Sequence, residues 1–174
     1  MPLRRLLART AAAVAAAFLL TTANAAAAPV GGPSARPLPY FASLKRDTTN
    51  VRIGPGSGYP IRWIYQRASM PVEVLYRYGN WRRIRDKAGD GGWVHASMLS
   101  PRRAAVVQAR NGKDVIMRAE PAADARAMAI LKPDVLVIPQ ACRNDWCLVT
   151  VQGRRLRGHV PQARLWGVYP DEVF

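Results

Sequence analysis

Apolar and polar positions alternate in short stretches along most of the chain. Ile61, Trp63 and Tyr65 are spaced by two, and Val72, Val74 and Tyr76 repeat that spacing within Pro71 to Tyr76. A period of two places such residues on one face of a strand. Gly79-Asn80 reads as a turn, Trp81 to Asp86 as a strand, Lys87 to Gly91 as a second turn and Gly92 to His95 as a further strand. Val135 to Ile138, Cys147 to Val151 and Gly158 to Val160 have the same character. Several short strands separated by Gly, Asn and Asp predict a small barrel or sandwich.

The pattern occurs twice. Asn50-Val51-Arg52-Ile53-Gly54-Pro55, Asn80-Trp81, Ile84, Gly92-Trp93-Val94 and Leu99 are matched by Ile116-Met117-Arg118-Ala119-Glu120-Pro121, Asp145-Trp146, Val149, Gly158-His159-Val160 and Leu165. The offset is 66 at Arg52/Arg118, 65 at Trp81/Trp146 and 66 again at Val94/Val160. A near-constant offset through several landmarks marks two divergent copies of one unit. Ala122 to Leu131 is rich in alanine, yet its place in the repeat makes it a loop followed by a strand.

The string from Asn50 to Gly56, the later Asn80-Trp81 with Ile84, and Gly92-Trp93-Val94 followed by Leu99 resemble the signature of bacterial SH3-like (SH3b) domains. The resemblance is close over residues 42–100 and weaker over 105–166, where His159 replaces Trp93. It implies an all-β chain of two tandem small SH3-like β-barrels, with Trp81, Ile84 and Trp93 in the core of the first. In that family the modules bind cell-wall peptides or glycan, or serve as adaptors, and are not themselves catalytic. Tyr59, Trp63, Tyr65, Tyr76 and Tyr78 cluster near the loop and the second strand. The resemblance implies that aromatic loop residues line a peptide groove, which makes Tyr59, Trp63 and Tyr65 candidates, and the alternative is that alternate members of the cluster fill the core.

Residues 1–25 have the layout of a cleaved secretory signal peptide: Arg4, Arg5 and Arg9, an apolar run from Ala11 to Leu20, then Ala23-Asn24-Ala25. The apolar run is about half of the roughly 20 residues that a spanning helix needs. The expected organisation is a signal peptide over 1–25, a Pro/Gly-rich linker over 26–41, the first barrel over 42–101, a divergent second barrel over 102–168 and a tail over 169–174. The chain is then expected in the periplasm or outside the cell. Cys142 and Cys147 bracket a predicted hairpin turn, and in an oxidising compartment they are expected to form a disulfide.

Charge adds a candidate chemistry. Lys and Arg number 26 against 11 acids, a net +15, and loss of residues 1–25 would leave 23 − 11 = +12. Arg82, Arg83 and Arg85 surround Trp81 and Ile84, and Arg154, Arg155 and Arg157 crowd a turn. Two readings fit: a solvated, solubilising surface, or a basic face for an anionic partner. Under the second, Trp81, Arg83 and Arg85 join the candidate ligand-binding residues. Alternation puts Trp81 opposite Ile84, so a bulge in this strand is expected if both are core.

Other chemistries find little support. The loop GPGSG lacks the Lys-Ser/Thr pair and helix start of a phosphate loop. His95 and His159 occupy non-equivalent repeat positions with no metal motif beside them, so no metal and no cofactor is expected. No nucleophile–base pair is evident, and the chain is read as non-catalytic. The expected function is recognition of peptidoglycan peptide or another anionic envelope component. The alternative is an adaptor for an envelope protein or an anionic membrane surface. Export would exclude nucleic acid as the partner in vivo.

Overall fold

The computed structural model describes residues 36–108, 112–170 and 172. The expected signal peptide and most of the expected linker lie outside them. The described chain is all-β, with helix confined to short 3-10 turns such as Ala96–Met98 and Gln162–Arg164.

The first barrel is built from β1 (Tyr40–Leu44), β2 (Thr49–Arg52), β3 (Ile61–Tyr65), β4 (Pro71–Tyr78), β5 (Trp81–Arg85), β6 (Gly91–His95) and β7 (Leu99–Ser100). The second uses β8 (Ala105–Val107), β9 (Val115–Arg118), β10 (Ala127–Leu131), β11 (Leu136–Arg143), β12 (Trp146–Val151), β13 (Arg157–Pro161) and β14 (Leu165–Trp166). The strand orders are β3-β2-β6-β5-β4-β1-β7 and β10-β9-β13-β12-β11-β8-β14. Adding seven to each label of the first sheet reproduces the second, so the sequence repeat is a repeat of topology. The bulges repeat as well: β4 slips against β5 between Val74 and Tyr76, and β11 against β12 between Pro139 and Ala141.

The two cores are small and dominated by β-branched residues, which suit a pleated surface. Ala42, Leu44, Val51, Val72, Val74, Ile84 and Val94 fill the first. Ala105, Val107, Met117, Val137, Val149 and Val160 take the corresponding places in the second. One glycine in each copy is required by this packing. A Cβ on Gly92 would lie 2.6 Å from Val51 Cγ1 and 2.7 Å from the Arg52 carbonyl, and on Gly158 2.6 Å from Met117 Cγ and 2.8 Å from the Arg118 carbonyl.

Three expectations need correction. The linker does not run to residue 41: Tyr40 and Phe41 belong to β1, and Phe41 is buried. The bulge lies in β4, while β5 pairs with β6 without a break, so alternation holds through Trp81–Arg85. Consequently Ile84 is core, but Trp81 and Trp93 are half-buried on the outer face. Finally, residue 169 is not in a free tail, because the Tyr169 hydroxyl donates to Glu73 Oε1 of the first barrel at 2.7 Å.

Candidate functional site

The expected ligand residues do not gather in one place. Trp63 and Tyr65 pack against the first core, their rings meeting edge-on at 6.1 Å. The Tyr65 hydroxyl donates to Asp86 Oδ2 at 2.9 Å, and burial followed by this bond raises its pKa above the usual phenol value. Asp86 Oδ1 accepts from the backbone N–H groups of Ala88 and Asp90 at 2.9 and 3.0 Å. This carboxylate therefore organises the β5–β6 turn. Tyr59 is exposed but lies flat on Gly54, where a Cβ would sit 2.4 Å from its ring.

Trp81, Arg83 and Arg85 do share the outer face of β5, with different neighbours. Trp81 pairs with His95 and meets its ring edge-on at 5.5 Å. Arg85 is committed: its Nε donates to Glu73 Oε2 at 3.1 Å and its guanidinium lies 6.0 Å from the Trp166 ring centroid. Arg83 is exposed and stands in a cross-strand row with Tyr76 on one side and Trp93 on the other, with Arg52 beyond Trp93. Directly opposed residues lie on one face of a sheet. Tyr76 and Trp93 meet edge-on at 6.1 Å, and Tyr76 is 57% exposed.

Beside this row runs a groove of about 500 Å³ bordered by Ile53, Arg62, Arg83, Asp90 and Trp93. Arg62 lies 5.0 Å from the Trp63 ring centroid at the slip between β2 and β3. Arg52 braces the groove's loop by donating from Nη1 to the Tyr59 carbonyl at 2.6 Å, and Arg118 does the same to the Ala125 carbonyl at 2.5 Å. In the sequence these two arginines stand out only as landmarks of the repeat. Their equal spacing from the braced carbonyl was the available signal. The outer row is not legible in the alternation, because the bulge between Val74 and Tyr76 turns Tyr76 out of the buried face of Val72 and Val74.

The corresponding face of the second barrel is a smaller hollow lined by Trp146, Leu148, His159 and Arg143. There Ala141 and Leu148 stand where the first barrel has Tyr76 and Arg83, so the aromatic–guanidinium row belongs to one copy. The pair Arg77 and Arg82, opposed across β4 and β5, corresponds to Cys142 and Cys147 opposed across β11 and β12. The two cysteines form a disulfide.

A model of the bacterial SH3 domain matches residues 45–101 and again 111–167. The chain belongs to the bacterial SH3 domain family. Bacterial SH3 domains are generally cell-wall binding modules. Two solved structures similar to this chain are NlpC2 and NlpC1 from Trichomonas vaginalis, at 11% and 12% identity and a TM-score of 0.32 each. The matches cover 74% and 76% of this chain but 48% and 47% of those proteins, so the chain spans about half their length. No curated protein matches. Within these two SH3 copies, no described group of three His, Cys, Asp or Glu side chains is placed to hold a metal ion.

Proposed function

We propose that this protein is an exported, non-catalytic binding module of the cell envelope, and that its first barrel holds peptidoglycan peptide or another anionic wall component. The observation that carries the reading is the outer row Tyr76–Arg83–Trp93–Arg52 beside the groove bordered by Arg62. Ring faces offer flat apolar surface to a peptide or sugar, and guanidinium groups match carboxylates. Family membership supports the compartment and ligand class, and the N-terminal pattern supports export.

Co-sedimentation with insoluble peptidoglycan at low and moderate salt tests the proposal. Retention of the wild type and loss for Arg83→Glu are expected. Absence of retention at both salt concentrations would rule the reading out.

An adaptor role is the second reading, and β10 favours it. This edge strand reads Ala-Met-Ala-Ile-Leu without a charge, and Ile130 on it is 66% exposed. Such an edge can accept a strand from a partner protein. The adaptor reading predicts retention on an envelope protein rather than on wall material.

A further inference from the structure

We propose that the cleft between the two barrels is a second binding site, one that takes the carboxylate end of a short aliphatic peptide. The cleft has a volume of about 760 Å³, and its walls come from both copies and their connector. This is within the usual range for small-ligand sites.

The charged residues that line the cleft are all cationic. Lys45 and Arg102 line it, both are exposed, and neither forms an ion pair among the described residues. No Asp or Glu lines the cleft to neutralise them. Arg102 is also held in place through its backbone. Its N–H donates to Ser100 Oγ at 3.2 Å, and its carbonyl accepts from Ser43 Oγ at 2.6 Å. The connector is thus fixed on both sides of that residue, while the guanidinium keeps its donors for a ligand. Arg103 borders the same space but is already engaged by Glu172 and by the Gly167 carbonyl.

The lining also holds apolar groups. Ile138 and Pro139 come from β11 of the second barrel, and Ile138 is 43% exposed, while Leu44 and Ala104 contribute but are themselves buried. The position of Ile138 in the repeat is that of Glu73, which is buried in the joint between the barrels. The two copies thus place an acid in the joint and an aliphatic group in the cleft. Two cations beside aliphatic groups select an anion carried on an apolar stem, where a bare inorganic anion would use the cations alone. This site is separate from the outer groove of the first barrel and does not depend on that groove's function.

The test is an amide-resolved NMR titration of the 15N-labelled protein with N-acetyl-dialanine, as free acid and as carboxamide, in the L,L and D,D forms. Shifts are expected at Ser69, Ala104, Ile138 and Gln152. The carboxamide should bind about tenfold more weakly, the equivalent of one charge-assisted hydrogen bond. Arg102→Gln and Lys45→Gln should each cause a similar loss with the free acid. Ile138→Asp should remove binding, and Arg83→Glu should leave it unchanged. Preference for the D,D form would point to wall peptide, and preference for the L,L form to a protein chain end. Equal binding of acid and carboxamide, shifts confined to the outer groove, or sodium acetate matching the dipeptide would each overturn the proposal.

Discussion

Arg83 and Trp93 separate binding from stability at the level of single residues. Arg83 is exposed and forms no ion pair among the described residues, so Arg83→Glu should weaken wall retention while leaving the melting temperature within about 1–2 °C, since exposed charges contribute little to stability. Arg154→Glu, at an exposed position of the second barrel, changes net charge by the same amount and is the control for bulk charge. Equal losses from both variants would mean that net charge alone attracts the partner. Arg85 is unsuitable for this experiment, because reversing it would also break its bond to Glu73. Trp93 is only half-buried, so Trp93→Ala should cost about 1–2 kcal/mol, below the roughly 3–5 kcal/mol of a fully buried tryptophan. Its core neighbour Val94 is completely buried, and Val94→Ala should cost about 2–3 kcal/mol. Denaturant titration of the two variants checks the order, and the reverse order would return Trp93 to the core.

Strand pairing explains why the copies are held together differently. At one end of the first barrel Arg77 faces Arg82, whose Nη1 donates to the Gly79 carbonyl at 2.8 Å and the Trp81 carbonyl at 2.9 Å. The same cross-strand position in the second barrel is the Cys142–Cys147 bridge. Closing so short a loop is worth on the order of 2 kcal/mol by the chain-entropy estimate. The double variant Cys142→Ala, Cys147→Ala should therefore lose about 2 kcal/mol, measured in denaturant against the oxidised parent. Unchanged stability would show that β11 and β12 pair fully without the bridge. The Gly92→Ala change belongs to this scale too, because it pushes β6 away from β2. With a clash against backbone as well as Val51, it should cost about 1–3 kcal/mol or more.

The two barrels are joined around the buried carboxylate of Glu73. Glu73 of the first barrel accepts from Arg85 on its own sheet and from Tyr169 beyond the second barrel. Phe41 packs on Trp166 at 5.1 Å and on Tyr169 at 4.6 Å, while Arg103 donates to Glu172 and to the Gly167 carbonyl. Lys87 and Arg67 add a second tie to Asp134. Unfolding of the wild type should accordingly be a single transition. Tyr169→Phe leaves Glu73 short of a donor and should split or broaden it in calorimetry. Alkaline pH tests the same joint. Burial and then the bond to Glu73 raise the Tyr169 pKa, and Tyr65 is raised likewise by burial and Asp86. A folded-state pKa above the unfolded value of 10.0 gives stability that is fully present below pH 10 and declines as pH rises beyond it. The Tyr65→Phe, Tyr169→Phe variant should show a shallower loss of melting temperature above pH 10. An identical slope would indicate that neither hydroxyl is held in the folded protein.

Local pattern alone was enough for the class of fold and for its duplication, because both rest on a two-residue period and on turn residues. Gly54, Trp81, Gly92 and Val94 carry that information through their own backbone and packing demands. Cys142 and Cys147 were legible for the same reason, since a hairpin brings near neighbours in sequence together. β1 and β8 were not legible. They are short, and their place is set by pairing with β4 and β11, far away in the chain. The sidedness of Trp93 was decided by register, since a bulge in β4 rather than β5 leaves Ile84 inside and sends Trp93 out beside Arg83. Only the tertiary structure could divide the arginines. Arg85 and Arg103 serve the joint, Arg52 and Arg118 brace loops, and Arg83 and Arg102 keep their donors for solvent or a ligand. That division depends on carboxylates and carbonyls brought close by the folding of both barrels, and charge counted along the chain carries no record of those distances.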